Sequence, residues 1–476
     1  MSHLHIYNSL TNDIEEFVPM EDGKVKMYVC GPTVYDHAHM GHGRYTVVFD
    51  FIRRALEFLG YDVLFVSNYT DIDDKMITRA NERGISIEEL AREMITSFEE
   101  DMRALNVRPP TVRPYATHHI QEMIDMIQNL IAKGHAYSNE TGVYFRVLSF
   151  ADYGKLSNRN LEEALAQSNE SETLFKENPA DFALMKLSKP NEPFWETPWG
   201  KMRPGWHIEC SAMSTKYLGD LFDMHGGGQD LLFPHHENEL AQSVCSTGQA
   251  FVRYWLHNGF LTSNKEKMSK SLGNFFTLKE IMKKGYSGEE IRFFILTGHY
   301  RKPLEFDEDA LKSASQQLKK IKEAKDMLEQ LVLADGDIVQ SEGISALVMS
   351  SENAIDSFRN AILNDFNTPE ALAALHTFIK EINSSARSEL PIRGSTLVDV
   401  LARLKRMLSV LGIAESEGDA DNTEVGGLLD LIISIRGEAR KKKDWATSDT
   451  IRDRLEVIGF SLEDDKGKTV WKRVSS

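Results

Sequence analysis

The chain has few cysteines, fewer positive than negative charges and no long apolar run. Its 476 residues include only three cysteines, Cys30, Cys210 and Cys245. An odd number of cysteines argues against a disulfide framework and leaves metal ligation, nucleophilic chemistry or packing as uses for the thiols. Internal repeats and low-complexity tracts are also absent. The composition therefore favours an ordinary globular protein without disulfide crosslinks.

The absence of long apolar runs bears on location, and the charge balance bears on partners. No stretch reaches the length of a membrane span, and the first residues lack a basic region followed by an apolar one, so we expect neither a membrane segment nor a signal peptide. The expected location is cytoplasmic. The net charge of −17 lowers the expectation of a nucleic-acid partner without excluding one, because a local basic patch can still bind phosphate.

The hydrophobic pattern predicts the fold class. Strand-like runs at Met27–Val29 and Val63–Val66 alternate with helix-like patterns at Tyr45–Leu59 and Ile85–Leu105. That alternation is typical of an α/β protein with a Rossmann-like parallel sheet. Residues 116–199 break the rhythm and are predicted to be an insertion. From residue 313 the pattern is helical, with apolar residues three and four apart, over Leu311–Val332, Ala346–Leu363, Pro369–Asn383 and Thr396–Leu411.

The predicted division has six parts. They are a split sheet domain (1–115 and 200–250), the connective insertion (116–199), a linking domain (251–312), a helical bundle (313–412), an acidic linker (413–427) and a small α+β module (428–476). The last module carries a basic cluster from Arg436 to Lys443 and two tryptophans, Trp445 and Trp471.

A histidine motif, His39-Met40-Gly41-His42, lies at the entrance of the first predicted helix. Helix N-termini attract anions, and Gly41 would allow a flat ring or a phosphate to approach the backbone closely. Two imidazoles in that place can hydrogen-bond phosphate oxygens. By itself, the motif fits two ordinary surface histidines equally well.

A lysine motif, Lys267-Met268-Ser269-Lys270-Ser271, follows later in the chain. Alone it fits a solvated basic turn. Together with the histidine motif, in this order, it resembles the paired signatures of class I aminoacyl-tRNA synthetases. The resemblance implies that Lys267 and Lys270 are mobile cations that meet a triphosphate in the transition state.

Four residues form a candidate metal site: Cys30, Cys210, His235 and Glu239. Thiolate, imidazole and carboxylate are all zinc ligands. His235 and Glu239 are four positions apart after Pro234, a favourable first helical residue, so they would share one helix face. Nothing in the sequence alone proves that the two cysteines meet, and each residue alone also fits burial or a solvated helix face.

Four stretches together resemble the bacterial cysteinyl-tRNA synthetase family. They are Cys30 just before Thr33-Val34-Tyr35-Asp36, the run Gly205 to Ala212, the run His225 to Glu239, and the lysine motif. The resemblance covers essentially the whole chain. Met40, where isoleucine is usual, is an apolar exchange with little expected consequence.

The resemblance implies a role for each motif residue. One Zn²⁺ per chain would be held by Cys30, Cys210, His235 and Glu239. The substrate thiolate would bind this Zn²⁺ directly, because zinc prefers a soft thiolate to the hydroxyl group of serine. The amino-acid pocket would include Gly31, Thr70, Trp206 and His225. ATP, with Mg²⁺, would be bound by Gly41, His42, Gly227, Asp230 and Lys270. The catalytic residues would be His39, His42, Lys267 and Lys270.

The implied reaction is ATP-dependent ligation of L-cysteine to the 3′ end of cysteine tRNA through a cysteinyl-adenylate, by a monomer. Residues 428–476 would then read the anticodon, because basic side chains and tryptophans suit phosphates and unpaired bases. One alternative is a related cysteine ligase of thiol biosynthesis with an amino-sugar acceptor, which needs no such module. Another is a non-enzymatic zinc-stabilised RNA-binding protein, in which the histidine and lysine motifs would have no role.

Overall fold

The computed structural model describes residues 3–159, 175–190, 192–263, 266–267, 276–333, 342–386, 396–415, 432, 436, 440, 444–457, 460–465 and 468–473. The chain forms two compact units, Met1–Ile413 and Ala414–Ser476. Among the described helices, none combines the length and the apolar character that a bilayer crossing requires.

A four-stranded parallel sheet lies at the centre of the first unit. Its strands stand in the order Val252–Asn258, Phe222–Gly228, Lys24–Val29 and Asp62–Ser67. The first two strands of this sheet along the chain, Lys24–Val29 and Asp62–Ser67, are neighbours, and Phe222–Gly228 lies on the other side of Lys24–Val29. The winding direction therefore reverses between Lys24–Val29 and Phe222–Gly228. Ligands of open α/β sheets bind at the carboxyl ends of the strands at such a reversal. The predicted parallel sheet is confirmed.

Among the described residues before 250, six α-helices accompany this sheet. They span Met40–Phe58, Asp74–Arg83, Ile87–Ala104, Ile120–Ala132, Trp206–Leu218 and Glu237–Thr247. The first of these, hereafter the histidine-motif helix, begins at Met40, five residues before the predicted start at Tyr45. The reason is local: His39 and His42 cap its first turn, an unusual use of histidine that the apolar pattern does not reveal.

Strands within residues 136–204 form a five-stranded antiparallel sheet, which covers most of the predicted insertion and extends past its predicted end at residue 199. Its order is Ala136–Asn139, Gly142–Phe145, Phe182–Leu187, Gly200–Pro204 and Trp195–Thr197. A buried carboxylate joins the insertion to the central domain. Glu237 accepts hydrogen bonds from Gly154 N (2.8 Å), Ser157 N (2.8 Å) and Ser157 Oγ (2.8 Å). This contact fixes the start of helix Glu237–Thr247.

Smaller elements precede and follow the central sheet. A hairpin, His5–Asn8 with Asp13–Glu16, opens the chain. After the sheet, Leu261–Ser263 pairs with Glu266–Lys267 and Leu304–Glu305, and two helices follow at Leu278–Lys283 and Gly288–Leu296.

Four long helices complete the first unit and confirm the predicted helical region. They span Glu308–Leu333, Glu342–Leu363, Thr368–Ala386 and Thr396–Leu411. The second unit contains helix Trp445–Val457 and a hairpin of Phe460–Asp465 with Lys468–Arg473. It is the α+β module that the sequence predicts, although the side chains of Trp445 and Trp471 and most of the basic cluster lie outside the described residues.

Candidate active site

The four predicted metal ligands converge although they are far apart in sequence. Cys30 follows strand Lys24–Val29, Cys210 lies in helix Trp206–Leu218, and His235 and Glu239 lie on either side of the start of helix Glu237–Thr247. Cys30 Sγ is 3.6 Å from Cys210 Sγ and 3.3 Å from Glu239 Oε1, and His235 Nε2 is 2.9 Å from the same oxygen. All four donor atoms lie within 4.8 Å of one another. Two thiols, an imidazole and a carboxylate, all buried, are a suitable donor set for zinc.

The histidine at position 235 reaches the cluster through a local break in the helix. Phe233 is extended (φ −140°, ψ 133°), and helical dihedrals resume after it. The sequence interpretation of Pro234 as a helix start, with His235 and Glu239 on one face, agrees with this geometry. Trp206 stacks on the His235 ring at 4.2 Å, with 26° between the planes. Because Trp206 is 38% exposed, it covers the ligand while facing the outside.

Neighbouring histidines orient the ligands. His225 Nε2 is 2.8 Å from Glu239 Oε2, and His207 Nδ1 is 3.0 Å from His235 Nδ1. Burial opposes ionisation of Glu239, but the adjacent His225 and His235 hold its pKa well below the ordinary range. Burial also disfavours a charged His235, yet the Glu239 carboxylate raises its pKa to about 10. Partners of this kind fix the orientation of metal ligands in known sites.

Two polar residues that the sequence interpretation did not assign connect the predicted pocket residues. Asn68 Oδ1 accepts from Tyr28 OH (3.1 Å) and Gly31 N (2.9 Å), and its amide donates to Thr70 Oγ1 (3.3 Å). Thr70 in turn donates to Glu209 Oε2 (2.8 Å). The sequence could have identified Asn68 as a pocket residue, because it follows a predicted parallel strand. Glu209 appeared in the sequence only as a member of the run Gly205 to Ala212.

Close backbone packing explains why residue 31 is a glycine. A Cβ atom at this position would lie 1.6 Å from the carbonyl oxygen of Asn68, so no other residue fits. Burial, with the nearby Cys210, raises the pKa of Glu209 well above its usual range. Together these contacts form a buried wall beside Cys210.

The two motif histidines cap their own helix. His42 N donates to His39 Nδ1 (3.2 Å), His39 N donates to His42 Nδ1 (3.4 Å), and the rings stack at 3.7 Å. A nitrogen that accepts a backbone hydrogen bond carries no proton, so each ring has its proton on Nε2. Nε2 is therefore the donating nitrogen of each neutral ring.

A cavity of about 320 Å³ is lined both by Cys30 of the candidate metal cluster and by the histidine motif. Its walls include Cys30, Gly31, His39, Gly41, His42, Trp206, Gly228 and Asp230. Gly227 lies behind the wall, where a Cβ atom would be 2.8 Å from His236 Cε1. Thr70 and His225 are likewise buried behind it, at 2% and 0% exposure, and contact it only through their partners. Seven of the predicted site residues that the structure describes therefore line the cavity, and six do not: Cys210, His235, Glu239, Gly227, Thr70 and His225.

The lysine motif can be placed only in part. The backbone of Lys267 belongs to strand Glu266–Lys267, while its side chain and all of Lys270 lie outside the described residues.

Comparison with known proteins identifies the class. Residues 16–316 match the family model of the class I (C) tRNA synthetase catalytic domain, and residues 357–415 match the DALR domain. Methionyl-tRNA synthetase of Mycobacterium tuberculosis has a similar fold (TM-score 0.61, 16% identity, 89% of this chain and 96% of that one). Arginyl-tRNA synthetase of Thermus thermophilus is also similar (TM-score 0.53, 13% identity, 85% and 84%). The chain thus contains the catalytic domain of a class I aminoacyl-tRNA synthetase.

The relatives by sequence are more specific. The chain is 48% identical to a cysteine--tRNA ligase of Heliobacterium modesticaldum and 47% identical to one of Thermococcus onnurineus, over 99% of both chains in each pair. The chain belongs to the cysteine--tRNA ligase family. The resemblance drawn from the motifs is confirmed, and the alternative with an amino-sugar acceptor is not favoured.

Proposed function

We propose that this chain joins L-cysteine to the 3′ end of cysteine tRNA, using ATP and passing through a cysteinyl-adenylate. The observation that carries the proposal is that Cys30, a member of the buried Cys30–Cys210–His235–Glu239 cluster, lines the same cavity as the histidine motif. An amino acid whose side chain reaches the cluster leaves room for a nucleotide along His39 to His42.

The cluster would hold one Zn²⁺ per chain, and Mg²⁺ would accompany ATP. Bound zinc supplies a soft Lewis acid that keeps a thiol deprotonated and prefers it to a hydroxyl group. Selection of cysteine over serine therefore needs no separate editing step, since a site built to bond one substrate group rejects analogues by about 10⁴–10⁵.

The other residues would bind and orient the substrates. Trp206 would cover the cysteine side chain, while Gly31 and Thr70 shape the wall beside it. The Nε2–H groups of His39 and His42 would donate to phosphate oxygens, and Asp230 would accept from the ribose hydroxyls. The amino-acid carboxylate then attacks the α-phosphate in line, and the protein contributes position and charge stabilisation.

The domain division follows from these roles. Residues 1–115 and 200–250 would form the catalytic domain, with residues 116–199 as its connective insertion, residues 251–312 carrying the lysine motif and residues 313–412 the helical bundle. Residues 428–476 would read the anticodon. A monomer in the cytoplasm completes the proposal, and sedimentation of the purified protein tests the oligomeric part.

Replacing one ligand tests the metal assignment. We expect Cys210→Ser to lose zinc and to raise the KM for cysteine far more than the KM for ATP in ATP–pyrophosphate exchange. Cys245→Ser is the matched control, because Cys245 is buried outside the cluster and burial raises its pKa to about 12, which makes it an inert thiol. Zinc content is measured by atomic emission. An unchanged zinc content in Cys210→Ser would remove Cys210 from the ligand set.

A charging assay tests the activity itself. The purified protein should attach cysteine to a cysteine tRNA transcript and leave serine unattached. Failure to charge the transcript while still performing cysteine-dependent exchange would point to another acceptor.

A further inference from the structure

Backbone hydrogen bonds join the segment after the lysine motif to the histidine motif. Phe276 is the first described residue after that motif. Met40 N donates to Phe276 O (3.1 Å), and Leu278 N donates to Ala38 O (3.0 Å). Residues on both sides of His39 are therefore bonded directly to the chain that leaves the lysine motif.

The short helix Leu278–Lys283 is set firmly at this junction. Thr277 and Glu280 cap its start reciprocally, and Leu278 is fully buried. A Cβ atom at Gly43 would lie 3.0 Å from Leu278 Cδ2, so the glycine allows the histidine-motif helix to approach this closely. Lys279 thus lies in the first turn of a fixed helix.

Lys279 faces a buried carboxylate that has little other support. Its Nζ is 3.2 Å from Asp101 Oδ1 and 3.1 Å from Glu100 Oε2. Asp101 is 1% exposed, and among the described residues no donor makes a well-aligned hydrogen bond to either of its oxygens. Among the described residues, His37 is a second basic side chain that acts on Asp101, and its Nδ1 is 2.8 Å from Ser97 Oγ, one turn earlier in the same helix. Burial raises the pKa of Asp101, and Lys279 opposes that shift.

A buried carboxylate without its cation is unfavourable. The pair therefore favours a single position of helix Leu278–Lys283 relative to helix Ile87–Ala104, and this position also fixes the hydrogen bonds of Phe276 and Leu278. Neither residue lines the cavity, whereas Phe276 does. An effect of the pair on the reaction would therefore pass through the segment that leaves the lysine motif.

We propose that Lys279 and Asp101 are a positioning pair for adenylate formation, which holds the chain directly after the lysine motif against the histidine-motif helix. The inference rests on the proposed function. Its effect is specific to one step, because the lysine motif serves the triphosphate, which is present in adenylate formation and gone when cysteine is transferred to tRNA. A misplacement of about 1 Å can reduce a rate about 10²-fold.

Lys279→Gln tests the pair by a comparison of the two steps. The kcat of cysteine-dependent ATP–pyrophosphate exchange should fall about 10²-fold, with the KM for cysteine unchanged. Single-turnover transfer of cysteine from preformed adenylate to tRNA should keep its rate. Lys279→Arg should retain most of the exchange activity. Lys283 is an exposed lysine of the same helix. Lys283→Gln is therefore the matched control and should behave as the wild type.

Asp101→Asn supplies a second variant, because it removes the buried charge and leaves no carboxylate without a cation. It should lower the exchange kcat selectively as well. In the double variant with Lys279→Gln, the loss should equal that of Lys279→Gln alone, since coupled residues are not additive. The proposal would be overturned if the losses of the two single variants multiplied in the double variant, or if exchange and transfer to tRNA lost equally. An unchanged exchange kcat would also overturn it. Absence of exchange in the wild type would instead overturn the proposed function.

Discussion

Asp50 is a buried carboxylate on which the junction between the histidine-motif helix and the helical region depends. It is 1% exposed, and its Oδ2 is 2.8 Å from Arg54 Nε and 2.6 Å from Arg292 Nη2. Arg292 is itself fully buried and donates to Leu411 O (2.7 Å) and Asn106 O (2.9 Å). Asp50→Asn keeps the shape of the side chain but leaves two buried arginines without their carboxylate.

The expected cost is large. Removing one partner of a buried ion pair destabilises proteins by about 3–5 kcal/mol. The ionisation of Asp50 gives a second measure: despite its burial, the neighbouring arginines lower its pKa from 3.8 to about 2. That difference corresponds to about 2 kcal/mol. The asparagine variant loses this contribution and in addition leaves the arginines uncompensated, so we expect about 3 kcal/mol.

The lowered pKa of Asp50 determines how its contribution to the free energy of unfolding changes with pH. Because the pKa of Asp50 is lowered on folding, its contribution is complete above about pH 4 and is lost as the pH falls towards 2. The stability difference between wild type and Asp50→Asn should therefore be constant from neutral pH down to about pH 5 and narrow below about pH 4.

Urea unfolding of the full chain, followed by far-UV circular dichroism, measures the difference. Asp326→Asn is the matched control, since Asp326 is exposed in helix Glu308–Leu333, and it should change the free energy of unfolding by less than about 0.5 kcal/mol. A loss of less than about 1 kcal/mol for Asp50→Asn would refute the reasoning, because it would mean that the arginines do not depend on this carboxylate.

Two further predictions concern the activity. Lys270→Ala should slow adenylate formation by about 10²–10³, the usual effect of losing one preorganised electrostatic contact. Cysteine affinity should change little. A large loss of cysteine affinity with intact turnover would mean that Lys270 serves the amino-acid pocket instead of the triphosphate. Deleting residues 428–476 should leave cysteine-dependent exchange nearly intact, since all residues assigned to chemistry precede residue 271, and should greatly reduce tRNA charging. In the full-length chain an altered anticodon should reduce charging, and this penalty should shrink on deletion; unchanged discrimination would assign the module another role.

The local elements of the fold were largely decided by the sequence. Apolar spacing predicted helix Thr396–Leu411 with its observed bounds and placed Val63–Val66 within strand Asp62–Ser67. Such patterns depend on which side chains face the core, and that information is local. Boundaries were weaker where capping decided them, as at Met40.

The members of the buried Cys30–Cys210–His235–Glu239 cluster and the family were also available from the sequence. Ligand chemistry offered Cys30, Cys210, His235 and Glu239 as candidates, and the motif resemblance joined them. Spacing alone could not do so, because Cys30 and Glu239 are separated by most of the catalytic region and meet only when the sheet places strand Lys24–Val29 beside Phe222–Gly228.

Only the tertiary structure decided which polar residues are buried, and with which partners. From the sequence alone, Asp50 and Asp101 are indistinguishable from ordinary acidic residues of helices. Asn68 and Glu209 are indistinguishable from the other members of their polar runs. Their roles depend on donors and cations from distant elements, such as Arg292 for Asp50 and Lys279 for Asp101. The free energy of a buried charge is set by its surroundings in space, and no pattern along a single chain contains that information.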